Sequence, residues 1–193
     1  EHALLKAGSA KVTSTNMRLA DTYAAQRKFA EAEKLLLSAG TASNSRFNPI
    51  SIAIDQGNWK EADKRTAQLQ SSVHPGTLYS RAASYPLAVT QWIRGEDAGA
   101  LATLNKAAVA SVAAALSSKT GSDAADDAYI ALSCAVLAQR MGDSRLAARV
   151  MAALKDKPNL TKVPPMNSLY AILTADQARM KGDARKAVVI LEA

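Results

Sequence analysis

The sequence predicts an all-α fold, a stack of about five helical hairpins. Three observations carry this expectation. One short pattern recurs five times: a turn residue, an alanine five positions on and, in most copies, an apolar residue four further along. A supersecondary unit repeated at this length reads as a helical array. Alanine is unusually common, with 41 of the 193 residues; it is the best helix former and lets helices approach closely. Strand-type alternation of β-branched residues is nearly absent.

The five copies are Arg27 to Ala32 and Leu36, Gly57 to Ala62, Gly95 to Ala100 and Leu104, Gly142 to Ala147 and Met151, and Gly182 to Ala187 and Leu191. Each marks the turn and second helix of a hairpin, and a helix precedes each. The hairpins are expected at about 13–40, 48–71, 77–116, 122–155 and 165–193, within one domain. Residues 1–10 echo the end of a second helix: Leu4-Leu5-Lys6-Ala7-Gly8 resembles Leu36-Leu37-Ser38-Ala39-Gly40. The chain is therefore expected to be a piece of a longer protein.

In the first hairpin, Thr13, Ser14 and Thr15 are N-cap candidates, and Met17, Leu19, Ala20 and Tyr23 form one apolar face. The second helix should run from Phe29 to Ala39, with Gly40 as C-cap. In the second hairpin, Pro49 suits the first turn of a short helix that reaches Gln56, because its missing N–H is not needed there. Trp59, Ala62 and Leu69 follow on the partner helix. His74-Pro75-Gly76-Thr77 is a turn. A helix over 77–94 should kink or break at Pro86, which also disfavours helical angles at Tyr85. A long helix follows, from Asp97 to Leu116.

Residues 117–122 are the most loop-like of the chain. Ser122 or Asp123 can cap the next helix, whose first turn carries Asp123, Asp126 and Asp127. That helix should end at Met141-Gly142, and its partner should span Ser144 to Leu154. Lys157-Pro158 and Val163-Pro164-Pro165 should bound an extended linker. Met166–Lys181 and Ala184 onward form the last pair. The motif alanines are 30, 38, 47 and 40 residues apart, so the array is irregular.

The motifs resemble the tetratricopeptide repeat (TPR). The first copy matches best, with Leu19-Ala20, Tyr23, Ala32, Leu36 and Ala39 on the expected spacing; Ala53, Gln91, Ala138 and Ala178 stand where the others would have tyrosine. From about Ile54 onward the chain also resembles the irregular repeat tails of bacterial multidomain signalling proteins, which carry a serine/threonine kinase, winged-helix or cyclase domain ahead of the tail. The resemblance implies a right-handed α-α superhelix that binds a partner on a concave face built from first helices. Aligning the copies on the turn residue puts Met17, Asp21, Phe47, Tyr85, Val89, Trp92, Leu132, Val136, Arg140, Ile172, Asp176 and Arg179 toward that face. Chaperone-binding members use a clamp of lysines and asparagines; the corresponding places here hold Met17, Phe47, Tyr85, Leu132 and Ile172, so that clamp is missing. Tyr85, Trp92, Arg140, Asp176 and Arg179 are the expected partner contacts, because aromatic residues and arginine dominate binding hot spots. Packing in the core is the competing role for Trp92, and core is the expectation for Trp59.

Little here suggests chemistry. His2 and His74 have no partner at metal or triad spacing. Phosphate-binding glycine motifs are absent. The glutamates fall on helix surfaces or turns. An Asp123/Asp126/Asp127 metal site would lack calcium-loop spacing. Cys134 lies in an apolar run and reads as a buried hydrophobe. No catalytic residue, cofactor or metal is expected. Charge-free stretches such as 107–118 and 128–139 run twelve residues, short of the ~20 that span a membrane, so no insertion is expected. The net charge is +7. Ten Lys/Arg against five Asp/Glu lie from Arg140 onward. Basic helical repeats can read RNA, but uneven repeat intervals disfavour that. The expected function is a non-catalytic protein- or peptide-binding scaffold in a larger regulatory protein, with a structural spacer or self-association module as the alternative.

Overall fold

The computed structural model describes residues 19, 20, 22–38, 48–118 and 120–192. Among them helix is the only regular structure. Helix α1, described at 19, 20 and 22–25, is followed by α2 (Phe29–Ser38), α3 (Asn48–Asp55), α4 (Trp59–Ser72), α5 (Leu78–Ala82), α6 (Ser84–Ile93) and α7 (Asp97–Ser117). Then come α8 (Gly121–Arg140), α9 (Ser144–Leu154), α10 (Pro158–Thr161), α11 (Met166–Met180) and α12 (Ala184–Glu192). The chain divides between Val73 and His74 into two compact units. The expected N-caps Thr13 to Thr15, the contact candidates Met17, Asp21 and Phe47, the cap Gly40 and the echo at 1–10 lie outside the described residues.

Each recurring motif folds the same way. The turn residue is left-handed in all five copies: Arg27 (φ 60), Gly57 (φ 68), Gly95 (φ 79), Gly142 (φ 93) and Gly182 (φ 85). That conformation lets two backbone N–H groups turn back onto carbonyls the ending helix leaves unpaired. In the fourth copy Gly142 N–H donates to Gln139 O at 3.0 Å, and Asp143 N–H to Ala138 O at 2.9 Å. The equivalent pairs recur at Arg27/Lys28, Gly57/Asn58, Gly95/Glu96 and Gly182/Asp183.

The residue after the turn then opens the second helix. The Asn58 side chain accepts from Glu61 N–H, Asp143 from Arg145 N–H and Asp183 from Lys186 N–H. One residue thus closes one helix and caps the next. The motif alanines pack where paired helices approach: Ala32, Ala62, Ala100 and Ala147 are 0% exposed and Ala187 is 8% exposed. Ala53, Ala138 and Ala178, at the tyrosine-equivalent place, are buried as well. Gln91 in that place accepts from the Thr103 hydroxyl at 3.0 Å, linking α6 to α7.

A Cβ on Gly142 would meet nothing within 4 Å, so the glycine is needed for its backbone angle alone. Gly142→Ala should therefore lower stability by about 1–2 kcal/mol in urea denaturation. Arg27→Gly should act in the opposite direction, because the first copy holds a side chain in the same strained region.

In the first unit α1 packs on α2 and α3 on α4, around Ala20, Ala32, Leu36 and Ile52. Arg65 on α4 donates to Glu61 at 2.8 Å, to Glu33 of α2 at 3.0 Å and to Pro49 O of α3 at 2.7 Å. Trp59, expected in the core, is half-buried.

The second unit is organised around α8, which contacts α5, α7, α9, α10 and α11. Leu104, Ala108, Leu132, Cys134, Leu146 and Leu154 are among its fully covered side chains. Asp127 of α8, also buried, receives Arg81 of α5 in a two-pronged pair of 2.7 and 2.8 Å. A third Arg81 bond, 2.6 Å to Gly76 O, fixes the His-Pro-Gly-Thr turn.

The structure corrects three local expectations. The break before Pro86 falls at Ala83, because the proline ring crowds the carbonyl four residues back and leaves Ala82 as the last residue of α5. Pro86 itself sits in the first turn of α6, where no N–H is missed. Helix α8 starts two residues early, at Gly121; its N-cap is Thr120, not Ser122 or Asp123. The loop is correspondingly short, and the long 47-residue interval comes from the 21 residues of α7 and the 20 of α8. The linker after Lys157 holds a turn of helix, α10, with Pro158 at its start and Leu160 and Thr161 buried. Helix α7, 21 residues long, contains an 18-residue window of mean hydropathy 1.4, long and apolar enough by those two measures alone to cross a membrane. Its buried face, Ala100, Leu104, Ala107, Ala108, Ser111 and Ala115, packs into the helical core, against α6 and α8.

Candidate functional site

Aromatic residues usually supply the largest apolar area of a core. Here the core is built from alanine and leucine, and none of the eight described aromatic residues is fully buried. Tyr79, Tyr85, Trp92 and Tyr129, all in the second unit, are exposed by 46, 37, 36 and 46%. Trp92 is therefore not a core residue.

Tyr85 and Trp92 are seven residues apart on α6, with half-buried Val89 between them. That spacing puts all three on one stripe of the helix. From Asp126 to the end of α8 the exposed and half-buried positions also fall in one stripe: Asp126, Tyr129, Ser133, Val136 and Arg140. The other residues of that stretch are buried. Burial pushes the Tyr85 phenol up; buried Cys134 and Tyr129 raise it further, and Arg140 lowers it. Tyr129 and Arg140 are about 16 Å apart along the helix at 1.5 Å per residue. The Tyr85 phenol thus senses groups from both halves of the α8 stripe.

Of the five expected contacts, Tyr85 and Trp92 lie two turns apart on one stripe of α6, and Arg140 lies on the α8 stripe. Arg140 is exposed and forms no ion pair with a described residue. Asp176 and Arg179, on α11, pair with each other at 3.2 Å, so their charges largely cancel locally. Leu132 is a correction: it is 0% exposed and belongs to the core. Alignment on the glycine placed it one residue from the true stripe, whose member is Ser133. Ile172 is half-buried. Tyr129 was missed; the heptad 126-129-133-136-140 was the signal that could have found it.

Two other groups have no part in this face. Cys134 is buried, and burial pushes its thiol up to about 12, so it stays a protonated packing group. The three aspartates at the start of α8 are divided: Asp127 is committed to Arg81, while Asp123 and Asp126 are exposed. No cluster of three or more His, Cys, Asp or Glu fit to hold a metal occurs among the described residues. Burial, then Asp123 and Asp127, hold the Asp126 carboxyl above its usual value.

Compared with family models, with curated proteins and with solved structures, the chain matches none. The reading of the face rests on its own residues.

Beside Arg140 the Gln139 amide is buried, and neither its nitrogen nor its oxygen has a hydrogen-bond partner in the protein. Such a group carries its desolvation penalty uncompensated. Gln139→Met, close in volume, should raise stability by about 1–2 kcal/mol, read as a higher urea midpoint with an unchanged slope.

Proposed function

We propose that this chain is a TPR-like helical-repeat scaffold, a right-handed superhelix of about five hairpins in a larger regulatory protein. It carries no catalysis of its own and binds a peptide segment of a protein partner. The first helices α6 and α8 supply the contact face. One observation carries this reading: a chain with only nine aromatic residues leaves Tyr85, Trp92 and Tyr129 exposed on those helices, and Arg140 of α8 exposed with no ion pair among the described residues. Exposed aromatic residues next to arginine are the composition of interface hot spots. Five motif copies with the same left-handed turn and buried alanine support the repeat reading.

The test is selection of a phage-displayed library of random 12-residue peptides on the immobilised chain, followed by calorimetry of the enriched peptides. Enrichment is expected, with Tyr85→Ala and Tyr129→Ala each weakening binding at least tenfold, about 1.4 kcal/mol. Both side chains are exposed, so the circular dichroism of the variants should be unchanged. Absence of enrichment, or binding insensitive to both substitutions, rejects the proposal.

One observation favours self-association as a second reading. Val188, Val189 and Leu191 of α12 are 53, 60 and 59% exposed. Light scattering that shows a dimer abolished by Val188→Glu would select it; a monomer would discard it.

A further inference from the structure

The α8 stripe has opposite charges at its two ends. Asp126 stands at one end and Arg140 at the other, both exposed, with Tyr129, Ser133 and Val136 between them. Neither charged residue forms an ion pair among the described residues. Fourteen residues of helix separate them by about 21 Å. Tyr85, exposed on α6, is near enough to Tyr129 and Arg140 for both to influence its phenol. The stripe thus runs from a carboxylate to a guanidinium across Tyr129, Ser133 and Val136.

We propose that the segment bound here is an extended dipolar peptide, with an acidic side chain on Arg140, a basic side chain near Asp126 and apolar residues between. This rests on the peptide-binding reading above. An extended chain rises about 3.3 Å per residue, so the two charges of the partner lie about six residues apart. Their order sets the direction in which the peptide runs along α8. The geometry also supplies discrimination. A peptide with two acids would bring one against Asp126, with Asp123 beside it, and one with two bases would meet Arg140. Like charges brought together select against wrong partners.

The same 12-residue phage library tests this, selected in parallel on the wild-type chain and on Arg140→Glu and Asp126→Lys variants. Peptides enriched on the wild type should carry one acid and one base about six positions apart. On Arg140→Glu the acid should be replaced by a second base, and on Asp126→Lys the base by a second acid. Each selected class should bind the other chains at least tenfold more weakly. This switch in charge preference is a readout that a merely structural effect of the substitutions cannot produce. Enriched peptides that need Tyr129 but show no charge pattern would overturn the dipolar inference and leave peptide binding standing. No enrichment on any chain would overturn both. A random 20-nucleotide RNA that binds the wild type more tightly than any selected peptide, and is lost in Arg140→Glu, would assign the arginine to a phosphate backbone and overturn the proposal.

Discussion

Asp127→Ala should destabilise the second unit by about 3–5 kcal/mol, the range for removing one partner of a buried ion pair. The carboxylate is 5% exposed and the Arg81 guanidinium 13%. With Asp127 gone, that cation loses two of its three strong hydrogen bonds and stays under α8 without a counter-charge. The five-residue α5 has little else to hold it, since none of its side chains is fully buried. The expected readouts are a lower urea midpoint and faster tryptic cleavage after Arg81. The double substitution Arg81→Met/Asp127→Leu should recover most of the loss, because desolvation of both charges disappears together. A single variant as stable as wild type would mean that the pair contributes nothing net.

Leu132→Ala should cost about 2–5 kcal/mol, the range for large-to-small changes in a close-packed core. Leu132 is 0% exposed, and helices pack on α8 from several sides, so the site has little freedom to collapse. Its neighbour Ser133 gives the contrast. Ser133→Ala, on the half-buried stripe, should change stability by no more than ~0.5 kcal/mol. Chemical denaturation of the two variants side by side decides whether the boundary between core and face runs between residues 132 and 133. Equal effects would place both residues on the same side.

The sequence reading went furthest where one residue type serves one backbone need. Glycine at positive φ and alanine at the closest helix approach stand out at fixed spacing, so four of the five turns could be read directly. Arg27 could be placed only by analogy with the other copies. Where a cause acts at a distance the reading fell short. Pro86 ends the preceding helix at Ala82, four residues back, rather than at its own position. The short helix α10 is hidden by prolines that suggest extended chain, although Pro158 suits a first helical turn. The face was partly legible. Tyr85 and Arg140, both exposed, were legible as candidates because aromatic residues and arginine are conspicuous on first helices. Tyr129 was missed and Leu132 misassigned because the glycine register treats all first helices alike. Helix α8 is twice as long as α6 and packed by more neighbours, so which residues it leaves open depends on partners far away in the chain.

The connection inside every hairpin is three residues long: 26–28, 56–58, 94–96, 141–143 and 181–183. Since the last of the three both seals one helix and starts the next, no residue can be added or removed without breaking one of those two tasks. The connections between hairpins carry no such double duty, and their lengths vary from the three residues 118–120 to the eleven of 155–165, which contain α10. The hairpin is therefore the unit of exchange in this chain. Loop grafts, protease sites or reporter insertions belong between hairpins, at Lys155-Asp156 for instance, rather than inside one.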